Sequence, residues 1–133
     1  MNIDKIAAEL PNGLHDALLR SVSADSAGRR AELILDVWVG DLHSATESLR
    51  ECYRAARLEF LGLAYFVLDD SRQEHSVTDQ SPVQIDACGA DDNPERCRQV
   101  PAGGFAGRFF VTEWNAFIHF AALEARLTWL EVN

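Results

Sequence analysis

The chain predicts an α+β domain: a short N-terminal helix and an antiparallel β-sheet of about five to seven strands, close to the usual sheet size. Three observations predict it. Ile3, Ile6, Ala7 and Leu10 recur at helical spacing, which puts them on one face of a helix. Ala31, Leu33, Leu35, Val37 and Val39 alternate with the residues between them, the period of a half-buried strand. Asp25-Ser26-Ala27-Gly28 divides that stretch from a second β-like one, Leu18 to Ala24, as a hairpin turn does.

The elements follow in order. A helix spans residues 3–10, and Pro11-Asn12-Gly13 stops it. Leu14-His15-Asp16-Ala17 leads into the first strand. Asp25 and Gly28 are preferred at the two ends of a type I turn, and Gly28 suits a left-handed residue closing the hairpin. In the second strand, Glu32, Ile34, Asp36 and Trp38 face away from the apolar side. Ile34 and Trp38 make that second face partly apolar. The N-terminal helix, a loop or another subunit must cover it. Left uncovered, it predicts a homodimer through Ile34 and Trp38. Residues 41–49 are polar and read as loop. From Tyr53 to Phe60 the alternation returns, and Tyr65 to Leu68 follows Gly62 as a buried strand. A helix through 47–60 competes, since Arg, Glu, Leu and Ala favour it. Gly62 and the aromatic run after it decide for strand. Val83 to Ala87 and Phe109-Phe110-Val111 are strand-like. The stretch 114–130 fits two templates. Strands over Ala116–Ala121 and Ala125–Val132 are one; a helix packed on the sheet, with Trp114, Phe117, Ile118 and Ala121 on its face, is the alternative.

A chain of 133 residues forms one domain, 1–133, with an adequate core. Residues 69–104 are its acidic, loop-rich segment. They hold eight acids against three arginines, −5 of a total charge of −9. That charge repels phosphate backbones and anionic lipids, so neither nucleic acid nor membrane is expected as a partner; a basic protein is. The N-terminus shows no secretory leader. The longest apolar run, Phe60 to Leu68, is half the roughly 18 residues a membrane helix needs. A cytoplasmic protein is expected. Cys52, Cys88 and Cys97 form no C-x-x-C pair and read as free thiols, although Cys88 and Cys97 share a segment and could pair under oxidising conditions.

Candidate chemistry is sparse. His15 and Asp16 could form part of a general-base pair, although neighbours in a strand point to opposite faces. The local alternative has Asp16 satisfying backbone donors where the first strand begins. His43, His75 and His119 could meet Asp69 or Asp70 only through folding, and no H-E-x-x-H supports a metal site. His43 and His75 read as exposed loop residues. Asp86, Asp91, Asp92 and Glu95 lack EF-hand spacing. They read as solvated acids, and as the docking contact if a basic partner exists. No metal and no cofactor is expected. Gly103-Gly104-Phe105-Ala106-Gly107 lacks the Lys-Ser or Lys-Thr of a phosphate loop, and there is no G-x-S-x-G. Trp38, on the polar face of its strand, is the tryptophan best placed for binding.

Two stretches carry a family resemblance. Leu14-His15-Asp16-Ala17, the strand after it, the turn with Asp25 and the strand Ala31 to Val39 resemble the opening of small, mostly uncharacterised bacterial proteins. Trp114-Asn115-Ala116-Phe117-Ile118 and its alternating continuation resemble their closing segment. Some of these proteins are grouped with immunity proteins of bacterial toxin systems. The resemblance covers about half the chain. It implies a small sheet-rich fold with strands at the C-terminus, and it carries no catalytic residues. The 69–104 segment has no counterpart in it. The functional expectation is a non-enzymatic interaction module, an immunity-type inhibitor of a basic protein; the alternative is a small enzyme using His15 or His119 with nearby carboxylates.

Overall fold

Helix α1 (Ile3–Glu9) begins where the Asn2 side chain accepts the Lys5 N–H at 2.8 Å, and it buries Ile3 and Ile6. The computed structural model describes residues 1–41, 43–69, 83–91 and 93–130, except the side chains of 87 and 88. After α1 come β1 (Leu18–Asp25), β2 (Arg30–Trp38), α2 (Glu47–Arg50), β3 (Tyr53–Leu61) and β4 (Tyr65–Leu68). Then follow β5 (Val83–Gly89), α3 (Pro94–Cys97), β6 (Phe105–Val111), β7 (Ala116–Ala122) and β8 (Glu124–Trp129). The strands form one antiparallel sheet in the order β4-β7-β6-β5-β1-β2-β3-β8.

Eight strands exceed the expected five to seven because two long strands are bent. β3 pairs with β8 from Ala56↔Trp129 to Leu61↔Glu124, and β4 pairs with β7 from Tyr65↔Ala121 to Leu68↔Ile118. The ladder continues round the corner: Leu123 N–H donates to Leu61 O at 3.1 Å, and Ala64 N–H to Ala121 O at 2.7 Å. Gly62 makes the bend possible. Its φ is +64°, and a Cβ there would lie 2.7 Å from Leu123 Cδ1. Gly62→Ala combines a left-handed strain with that overlap. We expect it to lower unfolding stability by about 1–3 kcal/mol, read as a shifted urea midpoint.

The bent pair also closes the sheet. β3 pairs with β2 and β7 with β6, while β1 pairs with β5 at Leu18↔Gln84 and Leu19↔Val83. The core lies inside this ring of strands. Leu33, Leu35 and Val37 face Leu58, Phe60, Ile85, Phe109, Ile118 and Phe120, all fully buried. The alternation of β2 is as expected, with Leu33, Leu35 and Val37 inside and Glu32, Ile34, Asp36 and Trp38 only partly buried.

The stretch 114–130 is the expected strand pair, and the alternative helix does not form; Asn115 at φ +47° closes the β6–β7 turn, and β7 is held by strands on both edges. Two local expectations change. The left-handed residue of the first hairpin is Arg29, not Gly28, since Asp25 Oδ1 accepts the Gly28 N–H. The 41–49 stretch contains the first residues of α2, a single turn of helix. Part of the acidic segment, 70–82 and 92, lies outside the described residues, and its described part holds the expected strand near 83–87. It contributes β5 and α3, which Asn93 caps through Arg96 N–H with Pro94 in the first turn.

Candidate functional site

The Leu14–Ala17 turn brings together residues that sequence spacing separates. Asp16 N–H donates to Ile85 O, and Ile85 N–H to Ala17 O, tying the turn to β5. Asp16 adopts φ +60°, so it is not in an extended strand and its side chain does not oppose its neighbour's. His15 Nε2 lies 3.4 Å from Asp16 Oδ2. His15 Nδ1 is 2.7 Å from the Asp86 backbone carbonyl, which can only accept, so Nδ1–H donates. Asp16 Oδ1 takes a 2.6 Å hydrogen bond from the Gln84 side-chain amide rather than from the backbone. The Asp86 carboxylate completes a group whose potential ligand atoms lie within 4.8 Å of one another.

Beside this turn runs an open groove of about 320 Å³, lined by Asp16, Leu18, Trp38, Arg50, Glu51, Tyr53 and Gln84. Trp38 and Tyr53 are directly opposite each other on β2 and β3. The Trp38 indole N–H donates to Arg50 O at 2.7 Å, fixing the ring against the segment before β3. Asn12 Nδ2 braces the same corner through Trp38 O and Gly40 O. The Arg50 guanidinium is engaged by Ser44 O at 3.0 Å. Burial, and then the Asp16 and Glu51 carboxylates, push the Tyr53 phenol above its ordinary range. The groove thus sets two carboxylates and the Arg50 guanidinium between two aromatic walls. Ile34 is half-buried on the same face of β2 as Trp38, outside the groove lining.

A second cluster is buried. Asp91, expected among the surface acids, has a fully buried carboxylate. Tyr65 Oη donates to its Oδ2 at 2.7 Å, Arg96 Nε at 3.0 Å, and Asn93 N–H to Oδ1 at 3.2 Å. Burial opposes its ionisation. The hydrogen bonds from Arg96, Tyr65 and Asn93 outweigh that and hold the carboxyl well below the usual range. Burial and the bond to Asp91 push the Tyr65 phenol up. Arg96 Nη2 also approaches His119 Nδ1 at 3.2 Å. Guanidinium only donates, so Nδ1 accepts and Nε2–H donates to Asp69 at 2.8 Å. His119 is 4% exposed. Both its nitrogens are occupied, which leaves none to take a proton from a substrate. The cluster is a clamp joining β4, β7 and α3.

His15, Asp16 and Asp86 thus converge with Trp38 on one face, while His119 and Asp91 converge in the interior with the 39% exposed Asp69 at their edge. Asp86 and Glu95 are exposed. Asp92, Asp70 and His75 lie outside the described residues. His43 is exposed, as expected. Cys97 is a free, exposed thiol whose Sγ meets Asp91 O at 3.1 Å; the Cys88 side chain lies outside the described ones. The sequence reading missed Glu51, Tyr53, Gln84, Tyr65 and Arg96. Tyr53 carried a usable signal, since antiparallel pairing of the two alternating stretches sets it opposite Trp38.

The fold and the groove define a small α+β protein with a closed antiparallel sheet and an acidic aromatic recess. No family model matches the chain, and no curated protein matches it. A crystal structure of an uncharacterized protein from Neisseria gonorrhoeae is similar at 12% identity and a TM-score of 0.40, over 85% of this chain and 90% of that one. A likeness at that level carries no functional information. Among the described residues, no helix is long and apolar enough to cross a membrane.

Proposed function

We propose that the protein is a non-enzymatic interaction module that docks a basic protein partner, in the manner of an immunity-type inhibitor of a basic toxin. One observation carries this reading: the groove between Trp38 and Tyr53, with Asp16 and Glu51 at its walls. An arginine or lysine side chain is the complementary occupant. Its charge meets two carboxylates, and its stem or guanidinium plane lies along aromatic rings. The chain's net charge of −9 draws a basic partner in. The docking surface is thus centred on Asp16, Trp38, Glu51 and Tyr53, with Asp86 nearby. Asp91 supports the fold from inside. Glu95 adds to the long-range field.

The enzymatic alternative draws on the His15–Asp16 approach. Against it stands the openness of that face, which excludes no water from the imidazole.

A synthetic arginine-rich peptide tests the binding reading. In NMR titration the Trp38 indole N–H and the Tyr53 resonances should shift first. Tyr53→Ala and Glu51→Gln should each weaken binding about two- to fivefold. Added salt should weaken it further, screening the attraction beyond about 8–10 Å. Shifts spread evenly over the acidic surface, indifferent to both substitutions, would remove the groove as the docking site.

A further inference from the structure

We infer that His15, Asp16 and Asp86 form a binding site for a divalent transition ion of the zinc class, separate from the buried clamp and sharing Asp16 with the docking groove, though it does not rest on the docking reading. The donor atoms come from two segments distant in sequence, and the Asp16–Ile85 and Ile85–Ala17 backbone hydrogen bonds hold those segments together.

The imidazole is set up as a ligand. Nδ1–H is committed to the Asp86 carbonyl at 2.7 Å, so in the neutral ring Nε2 carries the lone pair. A backbone carbonyl on the far nitrogen is the usual second partner of a metal-binding histidine; it fixes both tautomer and ring orientation. That Nε2 faces Asp16 Oδ2 at 3.4 Å. Neutral imidazole and carboxylate there present lone pair to lone pair, an arrangement a cation between them resolves. The other Asp16 oxygen is taken by Gln84 Nε2, which orients the carboxylate and leaves Oδ2 for the ion. The Asp86 carboxylate supplies a third donor: one of its oxygens, an Asp16 oxygen and a ring nitrogen of His15 lie within 4.8 Å of one another. Metal–ligand distances of about 2.0–2.2 Å to a central ion fall within this spacing, with His15 and Asp86 exposed and Asp16 partly buried. Among the described residues, no lysine or arginine forms an ion pair with Asp16 or Asp86.

One imidazole and two carboxylates suit Zn²⁺, Co²⁺ or Mn²⁺ better than Ca²⁺, which prefers oxygen donors alone. Three protein ligands leave positions for water or for a donor from a partner.

The test uses the full chain after chelator treatment, with Zn²⁺ alone as the probe. Calorimetry should give saturable one-to-one binding, and NMR shifts should centre on residues 15–17 and 84–86. His15→Ala and Asp86→Asn should each weaken Zn²⁺ at least about tenfold, and Gln84→Ala, which loses only the orienting amide, about tenfold. His43→Ala should leave binding unchanged. Circular dichroism confirms that the exposed-site variants stay folded. Lack of saturable Zn²⁺ binding overturns the assignment. So does binding that survives His15→Ala but is lost in Cys52→Ser or Cys97→Ser, since the ion would then sit on a thiolate.

Discussion

Asp91→Ala should lower unfolding stability by about 3–5 kcal/mol, the usual cost of removing one partner from a buried ion pair. The substitution leaves the Arg96 guanidinium, 24% exposed, facing an apolar methyl, and it strands the Tyr65 hydroxyl and the Asn93 N–H. His119 keeps Asp69 but loses the neighbour that holds Arg96 in place. Urea unfolding measures the effect, with an unchanged m-value showing that the native fold persists. The pH dependence follows from the depressed carboxyl. Its folded pKa lies below the unfolded value of about 4. Ionised Asp91 therefore stabilises the fold above that value, and the contribution is lost as pH falls toward the folded pKa. The stability gap between wild type and Asp91→Asn should narrow as pH drops from about 5 to about 2. A gap that stays constant over that range would mean the carboxylate charge is not what the cluster uses.

Phe120→Ala should cost about 3–5 kcal/mol, a large share of the roughly 5–15 kcal/mol that holds a domain of this size. The ring is fully buried at the centre of the closed sheet. It stacks on Phe60 with centroids 4.4 Å apart and meets Phe109 at 4.8 Å. Gly107 seats its edge, for a Cβ there would come within 2.8 Å of Phe120 Cζ. Truncation opens a cavity that strands on both sides would have to shrink to fill, and the cross-strand ladders resist that. Phe120→Leu, which keeps most of the volume, should cost clearly less. Equal losses for the two variants would show that ring contacts, rather than filled volume, carry the energy. Thermal unfolding compares them directly.

The sheet was legible where burial on one face leaves a period-two trace. β2 is the clearest case: Leu33, Leu35 and Val37 alternate with half-buried residues and sit where alternation puts them. β7 was ambiguous for the opposite reason. His119 and Ala121 on its second face are also buried, so it shows no polar alternation and fits a helical template equally well. Strand number was understated because Gly62 reads as an interruption, while the fold uses it as a corner in a continuous ladder. The sites were less legible than the sheet. Asp16 seemed to point away from His15 because an extended chain was assumed, and its φ of +60° reverses that. Asp86 joins them across about half the chain, a distance no spacing rule reaches. Asp91 could not be told from Asp86 by sequence, since both stand in one acidic stretch. One is buried by an arginine five residues on, and the other is left in solvent.

The bent ladder has a consequence for how the molecule is made. β3 lies beside β2 early in the chain, but its other edge, carrying Leu58 and Phe60, is paired by β8 alone. A ribosome delivers residues 124–129 long after residues 53–61. Throughout that interval a growing chain holds an apolar strand with open hydrogen-bonding groups, the template on which neighbouring chains associate. Closure is a late, non-local event and therefore slow by the standards of small domains. The abundance of acids on this chain has a use in that window: nascent copies repel one another until the final strand docks.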